Sequence, residues 1–499
     1  MTDWPILSLL IWFSIGGAVL VLAAGDARPR LSRWLALVIA LVVMLLNFAM
    51  VPHFDVTTAA LQFVENHPFS PATGIRYHLG VDGIALPLVL LTTIITPLAI
   101  VGAWEVIQKK VHQYMACLLA LNGLQIGVFS AADSMLFYAF FEGMLIPMFI
   151  LIGLWGGPRR VYATLKFFIY TFLGSVFFLI ALIYMRLQAG SFDIATLQAL
   201  KMPLVTQTWL FLAFLGAFAI KVPMWPVHTW LPDAHVEAPT GGSVVLAAVM
   251  LKVGCYGLLR FSLPMLPDAT MLLAWPMIVI SIIAIIYIGY VAMVQPDMKK
   301  VIAYSSVSHM GVVTVGIFIA IVLIRANVDP QTARLGLSGA MVQMISHGFV
   351  AGALFTCIGV MYDRTHTREL ARYGGLTTVM PWFAAFMVLF AMANVGLPGT
   401  SGFPGEFMII LSAFGVNIWV ALGTAFTLII AAGYTLWWLK KLIWGTPRSA
   451  EAASMSDINP REALVLGGFA LCVLALGVWP YPLTRMMDAS IAHLVSQLI

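Results

Sequence analysis

Four ionisable side chains, Glu142, Lys221, Lys252 and Glu406, stand inside long apolar runs of this 499-residue chain. Glu142 lies in Phe-Phe-Glu-Gly-Met-Leu-Ile-Pro, Lys221 in Ala-Ile-Lys-Val-Pro, Lys252 in Val-Met-Leu-Lys-Val-Gly and Glu406 in Gly-Phe-Pro-Gly-Glu-Phe. A charge at mid-membrane costs roughly 2.5 to 3.5 kcal/mol on insertion scales, so each is a functional candidate by default. The chemistry that suits them is proton transfer. Burial disfavours the charged form of an acid or base and a nearby opposite charge favours it. At about 4 Å and an effective dielectric near 20, a Glu–Lys pair is worth about 4 kcal/mol, so moving Glu142 toward or away from Lys221 would load or unload a proton. The competing reading is a set of static salt bridges fixing helix register, a task that an apolar pair performs at lower desolvation cost.

Histidines extend the candidate relay, because imidazole exchanges protons near neutral pH. His309 and His347 fall inside apolar spans, and His347, in Ile-Ser-His-Gly-Phe, is favoured as a relay member. His228 and His235 flank the connection between the seventh and eighth spans, where a structural hydrogen bond is an equal alternative. Lys166 continues an apolar face into Phe167-Phe-Ile-Tyr, with snorkelling to the cytoplasmic surface as its alternative. The spacing provides no i, i+4 histidine pair on one helix and no thiolate partner, so no metal is expected. Cys117, Cys255, Cys357 and Cys472 stand alone in apolar runs and read as buried thiols. With no GxGxxG and no GxxxxGK, no cofactor is expected on this chain, and redox chemistry would have to occur in another subunit.

The elements that hold these residues follow from composition. The chain is 61% hydrophobic and 9% charged, against about 25% charged in a typical soluble domain. Apolar runs long enough to cross a hydrocarbon core recur along the whole length. The net charge of +5 is scattered among loops, which points to membrane orientation and away from nucleic acid. Met1-Thr2-Asp3 supplies no basic leader, so the first run is expected to remain as a helix.

Fourteen helices are predicted, near 4–23, 33–51, 81–104, 112–131, 134–155, 161–187, 208–230, 239–263, 271–294, 299–324, 335–361, 380–415, 416–443 and 462–480, followed by a short tail. Loop charges test the count. Sixteen of the 26 Lys and Arg residues fall in odd-numbered loops and seven in even loops or the tail, leaving Lys166, Lys221 and Lys252 inside spans. Cytoplasmic loops collect Lys and Arg, so both termini are expected on the periplasmic side of a bacterial inner membrane. Lys221-Val-Pro-Met-Trp-Pro226 interrupts helix 7 and Gly396-Leu-Pro-Gly-Thr-Ser-Gly-Phe-Pro-Gly405 interrupts helix 12. Paired breaks at membrane depth point to inverted repeats around a transport site. The expected organisation is an all-α polytopic membrane protein: 1–111 with helices 1 to 3, 112–263 and 264–445 as two inverted five-helix repeats, and 446–499 with helix 14 and the tail. Lys221 and Glu406 would occupy matching places, and Asp133-Ser-Met echoes Asp297-Met-Lys.

The stretch Ala219-Ile-Lys-Val-Pro-Met-Trp-Pro-Val-His-Thr-Trp-Leu-Pro-Asp-Ala-His-Val-Glu-Ala-Pro-Thr240, with Leu251-Lys-Val-Gly-Cys-Tyr-Gly-Leu-Leu-Arg260, resembles the antiporter-like superfamily. Phe141-Glu-Gly-Met-Leu-Ile-Pro147, Gln343-Met-Ile-Ser-His-Gly-Phe349 and Tyr362-Asp-Arg-Thr-His-Thr-Arg368 narrow the resemblance to the subunit M (chain 4) family of proton-pumping NADH-quinone oxidoreductase, respiratory complex I. The resemblance implies fourteen helices, two inverted repeats and a seat in the membrane arm between sister antiporter-like subunits. NADH, FMN, iron–sulfur clusters and quinone would be bound elsewhere in the complex. Glu142 matches the family's helix 5 glutamate, Lys221 its helix 7 lysine, Lys252 its helix 8 connecting lysine and Glu406 its helix 12 glutamate. Close relatives usually carry lysine at the last position, so Glu406 itself favours this family. Protons would enter from the cytoplasm, pass along Lys221, Lys252 and His347, and leave near Glu406. The competing assignments are a subunit of a multi-subunit sodium/proton antiporter, of a membrane-bound hydrogenase or formate hydrogenlyase, or a membrane scaffold.

Overall fold

The computed structural model describes residues 4–70 and 73–498, so the Met1-Thr2-Asp3 leader lies outside the described residues. The helices are α1 (Ile6–Ala24), α2 (Pro29–His53), α3 (Ala85–Gly102), α4 (Val111–Ser130), α5 (Ser134–Trp155), α6 (Arg160–Ala189) and α7, made of Leu204–Lys221 and Trp230–Glu237. They continue with α8 (Thr240–Met265), α9 (Pro267–Met293), α10 (Met298–Arg325), α11 (Pro330–Thr365) and α12, made of Pro381–Val395 and Gly402–Phe414. Last come α13 (Ile418–Ile443), α14 (Pro460–Val478) and α15 (Tyr481–Gln497). Among the described residues, twelve helices are long and apolar enough to cross a bilayer. To these α4 adds a crossing that His112, Gln113, Asn122 and Gln125 make less apolar, and the two halves of α12 add another. The fourteen expected segments are all present.

Three expectations change. The connection between α2 and α3 carries an antiparallel pair of strands, β1 (Gln62–Ser70) and β2 (Ile75–Val81). Its Glu65 accepts hydrogen bonds from the backbone N–H groups of Leu7 and Ser8 at 2.8 and 3.1 Å and so satisfies the open end of α1. The tail after α14 is a helix, α15, whose Met487, Ile491, Leu494 and Val495 face inward at helical spacing. The segment joining α7 to α8 is also helical: Trp230–Glu237 is the second half of α7, and Trp230 Nε1 donates to the freed carbonyl of Ile220 at 2.9 Å.

The helices are not equivalent. An 18-residue stretch of each of α8, α10 and α11 is wholly enclosed by protein, whereas α1, α2, α6, α9 and α14 keep broad apolar outer faces. The enclosed helices carry Lys252, His309 and His347, and it is their lack of lipid contact that allows charge there. Small residues let the backbones close in. A Cβ on Gly254 would lie 2.8 Å from the carbonyl oxygen of Phe218 and the N of Val222, and one on Gly257 would meet the Phe218 ring at 2.3 to 2.6 Å, so α8 presses directly on the end of the first half of α7. On the other side Gly405 lies against the Gln343 backbone, which seats α12 on α11.

Asp133 and Asp297 occupy the same structural place. Each is the N-cap of its helix, α5 or α10, accepting from the N–H groups two and three residues on. Each also pairs as an isolated antiparallel bridge, with Asp193 just after α6 and with Glu369 just after α11. The two helix breaks differ in detail. Lys221 is the last residue of the first half of α7, and Glu406 lies inside the second half of α12, so the charges stand on opposite sides of their breaks.

The close approach at Gly254 yields a test. Gly254→Leu should force α8 away from α7 and destabilise the detergent-solubilised protein by about 1–3 kcal/mol, the usual effect of overpacking. Gly467→Ala on α14, where nothing lies within 4 Å of the added Cβ, should leave thermal unfolding unchanged or slightly raised.

Candidate functional site

The enclosed core holds two hydrogen-bonded groups, brought together by five helices. In α8 a wide π-turn covers Leu246–Met250, and Lys252 Nζ donates to the Ala247 carbonyl within it at 2.5 Å. The same Nζ lies 2.7 Å from His347 Nδ1 on α11. The His347 and His309 rings lie 6.0 Å apart, centroid to centroid, which bridges α11 to α10. His309 Nδ1 is 2.8 Å from Glu406 Oε1 on α12, and its Nε2 is 3.1 Å from the Tyr434 hydroxyl on α13. Gln343 Nε2 donates to the same carboxylate oxygen at 2.9 Å. Lys252, His309, His347 and Glu406 are all buried, Lys252 completely. The arrangement sets three bases and one carboxylic acid in a row through protein interior, each able to bind and release a proton.

The group around Glu142 and Lys221 is looser. Lys221 is 2% exposed, and its Nζ lies over the Phe141 ring at 4.8 Å and the Phe167 ring at 6.0 Å, with no hydrogen-bond acceptor among the described residues. Glu142 is half-buried one residue before Gly143 ends the first part of α5, and its Oε1 has no partner among the described residues. Among the described residues the two charges form no ion pair within 4.0 Å; they face each other in an open arrangement. His228 sits buried in the break of α7, its ring 6.4 Å from that of Tyr304. Lys166 neither snorkels freely nor joins the core groups: its Nζ is 2.8 Å from Asp233 Oδ2 on the second half of α7.

His235 departs furthest from expectation. It is not in a loop but fully buried, stacked on Phe355 at 4.5 Å, with neither ring nitrogen partnered among the described residues. Lys252 and Lys299 are the cations that face it. Lys299, counted as a loop charge from the sequence, is 4% exposed and donates to the Ala238 carbonyl at 2.7 Å. Its Lys299-Lys300 pairing looked like an ordinary basic loop; the usable signal was its place two residues after a capping aspartate, which puts it inside α10.

Two vestibules approach the core from opposite faces. One, of about 550 Å³, is walled by residues of odd-numbered connections, including Lys109, Glu237, Lys299, Asp363 and Arg368. The other, of about 260 Å³, is walled by residues of even connections and α15, including His78, Asp82, Asp193, Arg260 and His493. Among the described residues no three His, Cys, Asp or Glu side chains converge as a metal site, and all four cysteines are free thiols.

Comparison with known proteins agrees with this geometry. The family model for the transmembrane part of NADH:quinone oxidoreductase and Mrp antiporters matches residues 131–431, and the amino-terminal model of NADH-ubiquinone oxidoreductase chain 4 matches 31–126. NADH-quinone oxidoreductase subunit M of Rhodobacter capsulatus is 48% identical over 491 residues, covering 96% of this chain and 93% of that protein. NADH-ubiquinone oxidoreductase chain 4 of Arabidopsis thaliana is 42% identical, covering 98% and 97%. A chain in the structure of respiratory complex I from Thermus thermophilus with bound NADH superposes with a TM-score of 0.89 at 28% identity, covering 99% of this chain and all of that one. By sequence and by fold, the chain belongs to the subunit M (chain 4) family of NADH-quinone oxidoreductase membrane subunits.

Proposed function

We propose that this chain is a proton-translocating membrane-arm subunit of NADH-quinone oxidoreductase, moving protons through a buried Lys, His and Glu relay while electron transfer takes place in other subunits. The observation that carries this reading is the buried row Lys252, His347, His309, Glu406, whose first three members stand on the helices screened from lipid. Titratable groups so enclosed are costly unless they act. Glu142 and Lys221 are the input pair, with His228 and the Lys166–Asp233 pair beside the broken helix. His235 lies between Lys299 and Lys252 and continues the inner vestibule toward the core. Protons enter on the cytoplasmic side, where the loop lysines and arginines collect, and leave near Glu406; both termini then face the periplasm. The equivalent capping and bridging of Asp133 and Asp297 supports two inverted repeats, 112–263 and 264–445, around the path. The apolar outer faces fit lipid and sister antiporter-like subunits on both sides. NADH, FMN, iron–sulfur clusters and quinone belong to the rest of the complex.

In the assembled complex, Lys221→Ala or Glu142→Ala should lower NADH-driven quinone reduction and proton pumping together, by roughly a hundredfold if each is a positioned proton carrier. Unchanged proton-to-electron stoichiometry and rate in both variants would remove them from the path. At the other end, Glu406→Gln takes away the carboxylate that His309 addresses and should stop NADH-driven acidification. Gln343→Ala keeps the His309 contact and should cost much less, so equal losses in the two variants would argue for a packing defect.

A further inference from the structure

The smaller, outer vestibule, of about 260 Å³ and away from the basic loops, ends against α8. Lys252, Tyr256 and Arg260 stand at i, i+4 and i+8 on that helix and so share a face. Tyr256 and Arg260 line the vestibule. Four helical residues rise about 6 Å, so Tyr256 stands about one turn from the Lys252 backbone, whose amine reaches back to the Ala247 carbonyl. An unguarded passage along this face would let the core lysine exchange protons with the outer solution, and pumping would be short-circuited.

The residues in the gap are a poor wire and a good barrier. Arg260 Nη2 donates to Asp82 Oδ1 at 2.6 Å and Arg260 Nε to the Tyr256 hydroxyl at 3.3 Å, while that hydroxyl donates to the Phe129 carbonyl at 3.0 Å. Asp82 is itself fixed by the backbone N–H groups of Ile84 and Ala85 at the start of α3, at 3.1 and 3.0 Å. A guanidinium does not give up its proton in a protein, so Arg260 cannot be a relay step. A fixed positive charge lining a narrow passage excludes protons and cations, as arginines do in selective pores.

We propose that the Asp82–Arg260 pair, with Tyr256, is the outer seal of the relay, a fixed charge that keeps Lys252 from exchanging protons with the outer vestibule. The seal rests on the reading of Lys252 as a relay member. Asp82 holds the guanidinium in place, and the His78–Asp193 contact and α15 form the outer wall of the vestibule that the charge closes from within.

The test uses the complete complex in liposomes with a pH gradient imposed in the absence of NADH, read by an entrapped pH-sensitive dye. Arg260→Gln should speed collapse of the gradient several-fold, and with NADH present the vesicles should oxidise NADH yet build a smaller gradient. Asp82→Asn retains the guanidinium in the gap and should hold the gradient. Adding Lys252→Met to Arg260→Gln should restore tightness. Arg260→Met is the second charge-free variant should Arg260→Gln fail to assemble. Tight vesicles with Arg260→Gln, a leak that survives Lys252→Met, or equal leaks from Asp82→Asn and Arg260→Gln would each overturn the seal. The relay itself is judged separately, from the stoichiometry of the Lys221 and Glu142 variants.

Discussion

Lys252 has no solvent exposure and is held between its own helix's Ala247 carbonyl and Nδ1 of His347, and the architecture around it follows from making that position tolerable. Leaving an amine this deep without an acceptor is expensive, and more so when it is charged, and at Lys252 both contacts offset that cost. The acceptor lies where α8 widens into a π-turn over Leu246–Met250, a local irregularity of the kind often found at functional sites.

Enclosure is the second requirement, and glycine provides it. With α8, α10 and α11 screened from lipid by the remaining helices, their mutual packing sets how close the titratable groups come. Gly348, next to His347, faces the Ala248 carbonyl of α8 so closely that a Cβ would lie 2.9 Å from it. A larger residue there would widen the gap between α8 and α11 and break the 2.7 Å contact between Lys252 and His347. The break of α12 works similarly: Gly396 and Gly399 take positive φ values of 81° and 88°, which turn the chain and bring the second half-helix, with Glu406, back against α11.

Much of this was legible in the chain itself. Apolar runs and the asymmetry of loop charge located all fourteen crossings, and the Pro and Gly clusters located both breaks, because bilayer thickness and backbone satisfaction leave few alternatives. What escaped depends on tertiary contact. The strand pair at 62–70 and 75–81 has no clean period-two pattern, since it is a strap over helix ends with little apolar core of its own. His235 looked like a loop residue because Pro232 and Pro239 flank it, yet Pro232 fits the first turn of a half-helix where a missing N–H costs nothing. Lys299 and the Lys166–Asp233 pair show the same limit: residue type and depth are visible in sequence, but partnership is not.

The two halves of the proposed path are found in different states. The group around Glu406 is closed, with each acid or base addressed by a neighbour, while Glu142 and Lys221 are open to each other. In place of the carboxylate, the Lys221 ammonium rests on the Phe141 and Phe167 faces, at 4.8 and 6.0 Å. Such contacts are worth about 0.5–2 kcal/mol, against about 4 kcal/mol for a carboxylate at about 4 Å and moderate dielectric. The difference, about 2–3.5 kcal/mol, is close to the upper part of the range of coupling free energies between sites. Closure therefore lies within reach of a modest displacement, and the interruption of α5 at Met144, next to half-exposed Glu142, is where the helix can bend to supply it. Under the proposed relay the open pair at the edge receives the input, and the closed group in the core, which has no such slack, carries the proton onward.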